Sequence, residues 1–531
     1  MLREGSLFTQ WALWAPDSDG ALHRTGVKSW NRYDSRYTNI TLTQARIGEI
    51  MAEYIREKCA DMEIRRATIV EGLSVRDGEE YPVEVRTRNV RRTINGETTE
   101  AQASNGIRVD DDEDLLKTSI DTRTIHAKYV VACDGAHSWT RRQLDIAMVG
   151  DDTDVIWGVM DVLPDTDFPS TRALNSVLGA GFGLLLVPRE RGLIRVYTTL
   201  AMTIQQRLKP YRFSYKTCEW WAAYQIGQRI STANIDSSGR VFLAGDAVHT
   251  HSPQAGQGIN VGIQDVWNVM WRLNLVVKQS AKPDIPQTYS EERLKVAQDL
   301  VNFDRQFAAM ASGQPTPQGL FGRQSWSIQH FFHRIGVMVA GLHVHSESSV
   351  LTCTSKEDLE VAQKALSSGK VPPGMVVGMR LKPATIYRHE DALKVEFTGH
   401  EAFQSDDRFR ILLFVGNLRT ADNMERLQHV ASKLSVLLSR YVSKVFDIVI
   451  LHTANPTDLG LSKPVARAQE TLGSNTRIFF DGQLVDGKLV SSGAAYKTYH
   501  VDAEAGKLVL LRPDQYIAYV GELTNVETVE R

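Results

Sequence analysis

The segment Gly239–Asn268 combines a strand, an acid and a glycine-rich turn in an order that suits ligand binding. A hydrophobic run ends at Gly245, and Asp246 follows it, at the strand end where α/β sheets collect their ligands. Gly256-Gln257-Gly258 then lead into an apolar-rich helix, so backbone N–H groups can approach a ligand and the helix start favours negative charge. The alternative is a plain strand–loop–helix whose glycines serve packing. The pattern favours a carboxylate that accepts from a sugar hydroxyl beside a helix start that stabilises a ring or a phosphate.

A second segment, Ala127–Ile146, has a strand that ends at Asp134-Gly135 and is followed by a basic helix start. Asp134 can bind a ligand there, or it can cap the helix while Arg141-Arg142 stay solvated. Beside the Asp246 segment, the ligand-binding interpretation is favoured.

Arg189 and Tyr197 are eight residues apart across a predicted hairpin, so both can face one cleft. A tyrosine on a half-buried strand also occurs simply for packing. Gln44 opens a predicted amphipathic helix and means little by itself. The pairs His249/His251 and His343/His345 could suggest a metal, but alternation points each pair to opposite faces and no acid or cysteine has ligand spacing, so we expect no metal site.

The elements that must position these residues follow from periodicity. Leu42–Cys59 is predicted as a helix with Ile47, Ile50, Met51, Tyr54 and Ile55 on one face. Strands are expected in residues 64–132, 155–200 and 240–245, a long helix in 258–278, and mostly helix in 288–345. Residues 346–370 are expected to be a linker. Residues 371–531 alternate strand and helix in an order that suggests a small thioredoxin-like domain, and without a CxxC motif it cannot run dithiol chemistry.

Composition excludes several classes of function. The chain has 531 residues, a net charge of −2 and 23% charged residues, which favours two or three globular domains and argues against nucleic-acid or membrane-surface binding. No apolar stretch is long enough for a bilayer span. Four scattered cysteines suit a reduced compartment, so a cytoplasmic location is expected.

The ordered segments resemble the FAD-dependent aromatic hydroxylases of the phenol 2-monooxygenase family, from about Leu7 to Gly521. The resemblance implies that cofactor-binding positions are Gln44, Asp134, Tyr197, Asp246, Gly256, Gln257, Gly258, Ile259 and Asn260. It also implies that Tyr197 touches both flavin and phenol, and that Arg189 lies beside the active site; these two are the catalytic candidates.

The resemblance implies an α/β fold. An FAD-binding Rossmann-like domain (1–150 and 235–345) would carry an inserted β-rich substrate domain (151–234), followed by the linker (346–370) and a C-terminal thioredoxin-like domain (371–531). The family's GxGxxG segment and its catalytic aspartate find no match, so we expect the FAD-binding domain to be incomplete at its N-terminus and to hold FAD weakly, and no catalytic base is assigned.

The implied function is hydroxylation of a phenolic or polyketide-derived aromatic substrate with FAD as cofactor and NAD(P)H and O₂ as co-substrates. Two alternatives stay open: an inactive truncated homologue that does not retain FAD, and a related flavin monooxygenase that modifies a ring oxidatively. A small aromatic molecule and, by family habit, a second copy of the chain are the expected partners.

Overall fold

The computed structural model describes residues 1–29, 38–94, 97–100, 119–177, 183–199, 204–252, 256–311, 328–400, 402–441, 445–455, 462–473, 475–486 and 488–527. The chain divides into two compact units. The first comprises Met1–Trp30, Thr38–Val266 and Arg293–Arg323, and the second Asn31–Tyr37, Trp267–Glu292 and Gln324–Arg531.

The strands of the first unit, in chain order, are β1 (Ser6–Phe8), β2 (Gln10–Pro16), β3 (Leu22–Ser29), β4 (Asn39–Thr41), β5 (Thr68–Val75), β6 (Val83–Ile94), β7 (Glu97–Glu100), β8 (Ser119–Ala127), β9 (Val130–Ala132), β10 (Met148–Thr166), β11 (Leu174–Val177), β12 (Leu184–Pro188), β13 (Ile194–Thr199), β14 (Phe213–Ser231), β15 (Val241–Leu243) and β16 (His249–Thr250). The helices up to the end of this unit are α1 (Gln44–Lys58), α2 (Trp139–Gln143), α3 (Ile204–Arg207), α4 (Gly258–Val277) and α5 (Thr288–Ala311), of which α4 and α5 contribute residues to both units.

The second unit continues with α6 (Ile328–Val339), α7 (Lys356–Ser367), β17 (Thr385–Arg388), β18 (Lys394–Glu396), β19 (Phe409–Gly416), α8 (Ala421–Leu438), β20 (Phe446–His452), α9 (Ser462–Leu472), β21 (Arg477–Phe480), β22 (Gly482–Val485), β23 (Lys488–Ser491), α10 (Ala494–Tyr499), β24 (Lys507–Leu511) and β25 (Ile517–Gly521).

The largest sheet of the first unit has eight strands in the order β16-β14-β10-β13-β12-β11-β2-β3. The long strands β10 and β14 pair antiparallel, and β2 joins β11 in parallel. One face of this sheet forms a core with Trp14, Leu186 and Val196. Because side chains alternate along a strand, the residues between these, including Arg195 and Tyr197, lie on the opposite face.

Three smaller sheets complete the described part of the first unit, and in one of them β1 pairs antiparallel with β4. β9 and β15 pair in parallel, with Leu243 aligned to Ala132. β6 pairs with β5 on one side and with β8 on the other, and its Val83 and Val85 pack with Val241. These apolar side chains therefore connect the β5-β6-β8 sheet to the β9-β15 pair.

The second unit is built around a seven-stranded sheet in the order β18-β17-β21-β20-β19-β24-β25. β19, β20 and β21 are parallel, whereas β24 pairs antiparallel with β19 and β25 pairs antiparallel with β24. Ile411 and Leu413 pack with α8, while Leu412 and Phe414 pack with Phe397 and Tyr499 on the other face. Burial on both faces explains why β19 reads as a continuous hydrophobic run.

Gly416 ends β19 with a backbone φ of +69°, a conformation that suits glycine. A Cβ at this position would meet the carbonyl oxygen of Ala503 at 1.8 Å. We expect Gly416→Ala to lower the free energy of unfolding by about 1–3 kcal/mol, because strain and overpacking act together. The measurement is the thermal unfolding midpoint, with Gly473→Ala as a control, since that glycine also has positive φ but open space around its Cβ position.

Two histidines form a hydrogen-bonded pair inside the second unit. His389 Nδ1 lies 3.0 Å from His452 Nε2, and His452 is fully buried at the end of β20. Burial, with a smaller contribution from the nearby His389, lowers the pKa of His452 to about 3.

This depressed pKa predicts an acid-sensitive stability. An unfolded histidine takes up a proton near pH 6.5 and the buried one does not, so stability is present above pH 6.5 and is lost as pH falls toward 3. We expect a loss of about 2 kcal/mol between pH 6.5 and 5 from this group. Denaturant unfolding at several pH values tests this: His452→Phe should flatten the slope, while substitution of the exposed His429 should leave it unchanged.

Several expected elements are present, and some differ. The helix predicted at 42–59 is α1, but Met51 and Tyr54 of its predicted apolar face are exposed. The expected linker 346–370 contains α7, which begins with a capping box of Ser355 and Asp358. Strands β2 and β3 lie in the eight-stranded sheet, and residues 267–292 cluster with the second unit, which differs from the boundaries expected from sequence.

Among the described residues, no helix has both the length and the apolar character to cross a bilayer.

Candidate functional site

Asp246 lies in a short turn immediately after β15, as the sequence predicted. Gly245 begins this turn with φ +62°, and the N–H of Ala244 donates to the carbonyl of Ala132 at the end of β9. The Asp246 side chain is exposed, and within the part of the chain that the structure describes its carboxylate has no hydrogen-bond or ion-pair partner. The Asp246 carboxylate is therefore available to accept hydrogen bonds at the end of two parallel strands.

The start of helix α4 lies against the same turn. A Cβ on Gly262 would be 3.4 Å from the Cα of Gly245, an ordinary van der Waals distance, so the helix packs directly against the turn. Gly256 has φ +63°, and among the residues that the structure describes no atom lies within 4 Å of the position where a Cβ would be. Asn260 Nδ2 donates to the carbonyl of Gly256 and closes the turn before the helix.

The predicted residues at this helix start differ in exposure. Gln257 is buried, whereas Ile259 and Asn260 are exposed. Gly258 is the first helical residue, and the N–H of Val261 donates to the carbonyl of Gln257. The helix N-terminus and the exposed Asp246 carboxylate thus lie on either side of the contact between Gly245 and Gly262.

Asp134 accepts hydrogen bonds at the start of helix α2, whose N-cap residue is Ser138. Its Oδ1 accepts from the hydroxyl of Ser138 at 2.5 Å, and its Oδ2 accepts from the N–H of Thr140 at 2.9 Å. Arg141 of this helix is buried and donates to the carbonyls of Ala247 and Ala136. The Asp134 segment therefore contacts the Asp246 turn through Arg141, and the Asp134 carboxylate bonds to the start of its own helix.

The hairpin of β12 and β13 separates the two catalytic candidates. Arg189 follows β12 at the turn, is 4% exposed and pairs with Glu190, with Nε–Oε2 at 3.2 Å. Tyr197 pairs with Leu185, four residues before Arg189, which places the two backbones about 13 Å apart along the strand. The structure holds Arg189 in a local ion pair rather than next to Tyr197.

The charged group beside Tyr197 is Arg195, which sequence reasoning missed. Arg195 forms two hydrogen bonds to Asp161, Nε–Oδ1 at 2.7 Å and Nη2–Oδ2 at 2.6 Å, and its guanidinium lies 5.0 Å from the Trp220 ring. Burial lowers the pKa of Arg195, but the hydrogen bonds and charge of Asp161, together with the neighbouring Tyr197, outweigh it, and the pKa is raised. The available signal was the two-residue spacing of Arg195 and Tyr197, which places both on one face of a strand.

Gln44 is the first residue of α1 and is exposed. The preceding Thr43 caps the helix, and its N–H donates to Glu190 Oε1 at 3.1 Å. Because Glu190 also pairs with Arg189, the start of α1 is fastened to the hairpin turn.

The predicted residues thus form two groups. One contains Asp134, Asp246 and Gly256–Asn260. The other contains Gln44 and Arg189 at the hairpin turn, with Tyr197 about 13 Å farther along the hairpin. The eight-stranded sheet joins them, because β16 follows the Asp246 turn and is three strands from β13, about 14 Å. A polar cleft of about 280 Å³ lies elsewhere, lined by Arg65, Arg66, Arg123 and neighbouring side chains, and none of the predicted residues lines it.

The histidines considered for a metal have other contacts. His249 Nε2 bonds to Asp265 at 2.9 Å, His251 Nδ1 to the carbonyl of Ser252, and His345 Nε2 to the carbonyl of Val377. Over the described ranges, no group of three or more His, Cys, Asp or Glu side chains is arranged for a metal ion.

The first group of residues fits FAD in its chemistry. An unpartnered carboxylate can accept from ribityl hydroxyls, and N–H groups at a helix start favour phosphate or an electron-rich ring. Gly256 has no side chain, so a ligand can approach its backbone closely.

Comparison with known proteins extends this interpretation. Residues 31–304 match the family described as FAD binding domain, and residues 344–531 match the phenol hydroxylase C-terminal dimerisation domain. The chain is 31% identical to 3-hydroxybenzoate 4-monooxygenase of Comamonas testosteroni, over 98% of this chain and 82% of that one. It is 33% identical to phenol 2-monooxygenase fsqG of Aspergillus fumigatus, over 76% and 69% of the two chains.

The fold is that of a solved flavin-dependent monooxygenase. The structure of PieE in complex with FAD and substrate superimposes with a TM-score of 0.64 at 16% identity, over 99% of this chain and 87% of that one. The family match begins at residue 31, and these comparisons give no support to the expectation of an N-terminally incomplete FAD-binding domain. The chain belongs to the FAD-dependent aromatic monooxygenases of the phenol hydroxylase-like family, with a mixed α/β fold that joins an FAD-binding domain to a C-terminal dimerisation domain.

Proposed function

We propose that this protein hydroxylates a phenolic or polyketide-derived aromatic ring with NAD(P)H and O₂. The observation that carries the proposal is the pairing, in one unit, of an unpartnered Asp246 beside a helix start with a sheet face that presents Tyr197 and Arg195. The names of the Comamonas and Aspergillus relatives support an aromatic acid or a phenol as the class of substrate.

Asp246 and the Gly256–Asn260 turn would hold FAD, with Gln44 as a further contact at the start of α1. The chemistry that FAD supplies when bound is acceptance of a hydride from NAD(P)H and activation of O₂ for transfer of one oxygen atom to the ring. Asp134 serves this site indirectly, because its oxygens accept hydrogen bonds at the start of the helix whose Arg141 donates to Ala247 beside Asp246.

The substrate would lie over the face of β13 that carries Tyr197. Val159, Leu185 and Trp157 on this face are buried and apolar and can exclude water from the ring. Arg195, held by Asp161, supplies a fixed positive charge that stabilises a phenolate oxygen, and Tyr197 orients the ring by its hydroxyl. We assign this electrostatic role to Arg195 rather than to Arg189, the catalytic candidate from the sequence, because Arg189 pairs with Glu190, which also accepts from the N–H of Thr43 at the start of α1.

The C-terminal domain would be thioredoxin-like and would form a homodimer. Its β19-α8-β20 unit with parallel strands, followed by the antiparallel β24-β25 hairpin beside β19, supports the first inference. The family description of this region as a dimerisation domain supports the second.

The test of the proposal begins with the colour of the purified full chain. We expect the absorption spectrum of bound flavin, and oxidation of NAD(P)H that rises on addition of phenol or 3-hydroxybenzoate with one O₂ consumed per hydroxylated product. A protein that neither retains nor takes up FAD, or that hydroxylates no member of a panel of hydroxylated aromatic rings, would contradict the proposal.

Asp246→Ala should weaken FAD binding by about 10–100-fold, because a hydrogen bond to a charged group contributes about 1.5–3 kcal/mol. The measurement is the FAD dissociation constant from quenching of flavin fluorescence. Asp165→Asn, which alters another exposed carboxylate of the same unit on β10, should leave that constant unchanged. Equal affinity of the Asp246 variant and the parent protein would refute the assignment.

A further inference from the structure

A buried carboxylate on helix α4 connects the two parts of the proposed flavin site. Asp265 is 2% exposed and lies seven residues, or about two turns, after Gly258. Its Oδ2 accepts from the backbone N–H of Gly245 at 3.2 Å and from His249 Nε2 at 2.9 Å. These two donors bracket Asp246 in the chain, one residue before it and three residues after it.

A second helix keeps this carboxylate ionised. Arg293 of α5 donates through Nε to Asp265 Oδ1 at 2.6 Å and is itself buried. Burial raises the pKa of Asp265 most, but the charge of Arg293 and the hydrogen bond from His249 outweigh it, and the pKa is lowered. An ionised acceptor makes stronger hydrogen bonds to N–H donors than a neutral one.

The loop from Gly245 to Ser252 has a second carboxylate contact, at its Ser252 end. Ser252 donates to Asp304 of α5 through its N–H, at 2.7 Å, and through its hydroxyl, and Gln228 donates to the same carboxylate at 2.7 Å. The loop from Gly245 to Ser252 is thus fixed at both ends by carboxylates of different helices.

We propose that Asp265 is a positioning residue for FAD. Its hydrogen bonds hold the Asp246 turn against helix α4, so that the Asp246 carboxylate and the helix N-terminus keep the spacing at which one ligand can contact both. This inference rests on the proposed function, since it takes Asp246 as an FAD contact. Asp265 acts on the turn through its hydrogen bonds with Gly245 and His249. Its loss leaves the chemical groups of the site intact but lets them move relative to one another, which lowers affinity for a ligand that must touch both.

The test compares Asp265→Asn with Asp481→Asn in the full chain. Asp481 is a matched control, because it is also fully buried and accepts from Ser492 and from the N–H groups of Ala495 and Tyr496, but in the second unit. The readouts are the unfolding midpoint of the apoprotein, the FAD dissociation constant and the visible spectrum of bound flavin.

We expect Asp265→Asn to raise the FAD dissociation constant by about tenfold, the scale of one lost hydrogen bond to a charged group, and to shift the flavin spectrum. Asp481→Asn should lower the unfolding midpoint without changing the FAD dissociation constant or the flavin spectrum. His249 offers a milder change to the same contact. His249→Gln retains an N–H donor for Asp265 and should keep FAD affinity close to that of the parent, while His249→Leu should weaken it.

Two results would overturn the proposal: an unchanged dissociation constant in both Asp265→Asn and His249→Leu, or a rise in Asp481→Asn that matches theirs at equal loss of stability. If Asp265→Asn does not fold, the comparison of His249→Gln with His249→Leu tests the proposal by itself. Failure here is distinguishable from failure of the proposed function, because in the latter case the parent protein itself does not bind FAD or Asp246→Ala binds it normally.

Discussion

Replacing Arg512 with methionine is expected to lower the free energy of unfolding by about 3–5 kcal/mol, because it leaves buried carboxylates without their partner. Arg512 has no exposed surface and bonds to Glu292 through Nη1–Oε1 at 2.6 Å and Nη2–Oε2 at 2.8 Å. It also bonds to Asp514 through Nε–Oδ1 at 3.0 Å. After the substitution Glu292 keeps Arg272, at 2.8 Å, but Asp514 loses the one cation that pairs with it among the described residues.

The pKa of Glu292 reports how strongly this cluster depends on its arginines. Burial is the largest influence and raises it, yet Arg272 and Arg512 together hold it well below its ordinary value. A depressed carboxyl pKa adds stability that is present above pH 4.5 and is lost as pH falls through the folded-state pKa. The Arg512 variant should therefore lose less stability on acidification than the parent.

Denaturant unfolding followed by tryptophan fluorescence measures the effect, since Trp271 lies next to this cluster and donates to Asp514 at 3.1 Å. Lys278→Met is the matched control, because Lys278 pairs with Asp407 at 3.0 Å but its side chain is 56% exposed, and such pairs contribute at most about 1 kcal/mol. A loss for Arg512→Met no larger than that of the control would contradict the expected result.

This cluster also illustrates why contacts within the second unit leave no local signal in the sequence. Arg512 and Glu292 are 220 residues apart in the chain, so no local pattern marks them as partners. Periodicity predicted helix in both 258–278 and 288–345, and α4 and α5 are there, but it carries no information on which other elements a helix packs against. The joining of β2 to β11, which draws residues 10–16 into the eight-stranded sheet, is non-local in the same way.

The candidate site was predictable where the signal is local. Strand β15, the Asp246 turn and the start of α4 lie between residues 241 and 258, and their order of strand, glycine turn and helix can be recognised in the sequence. The roles of Asp134 and Arg189 were harder, because a carboxylate can cap a helix or bind a ligand, and only the positions of Thr140 and Glu190 decide which contact is made. Asp265 had no local signal, since its partners Gly245, His249 and Arg293 are 16–28 residues away.

Arg195→Gln is expected to reduce kcat/KM for the aromatic substrate by about 100-fold, the usual scale for removing a preorganised group that stabilises developing negative charge. The guanidinium is fixed by two hydrogen bonds to Asp161 and lies on the face of β13 that carries Tyr197. Arg195→Lys keeps the charge but loses the bidentate hydrogen bonding to Asp161, so its activity should fall between those of the parent and the glutamine variant.

Steady-state kinetics with phenol or 3-hydroxybenzoate measures the loss, and FAD affinity and the unfolding midpoint show whether the protein is otherwise intact. Because Arg195→Gln leaves the buried Asp161 without its charged partner, the double variant Asp161→Asn, Arg195→Gln separates charge from packing: it restores stability but not activity. Arg191→Gln is the control, since Arg191 lies in the same hairpin, is 64% exposed and pairs with Glu219. If the double variant recovers activity together with stability, Arg195 supports the fold of the sheet rather than the phenolate, and the charge that faces the substrate must come from another residue.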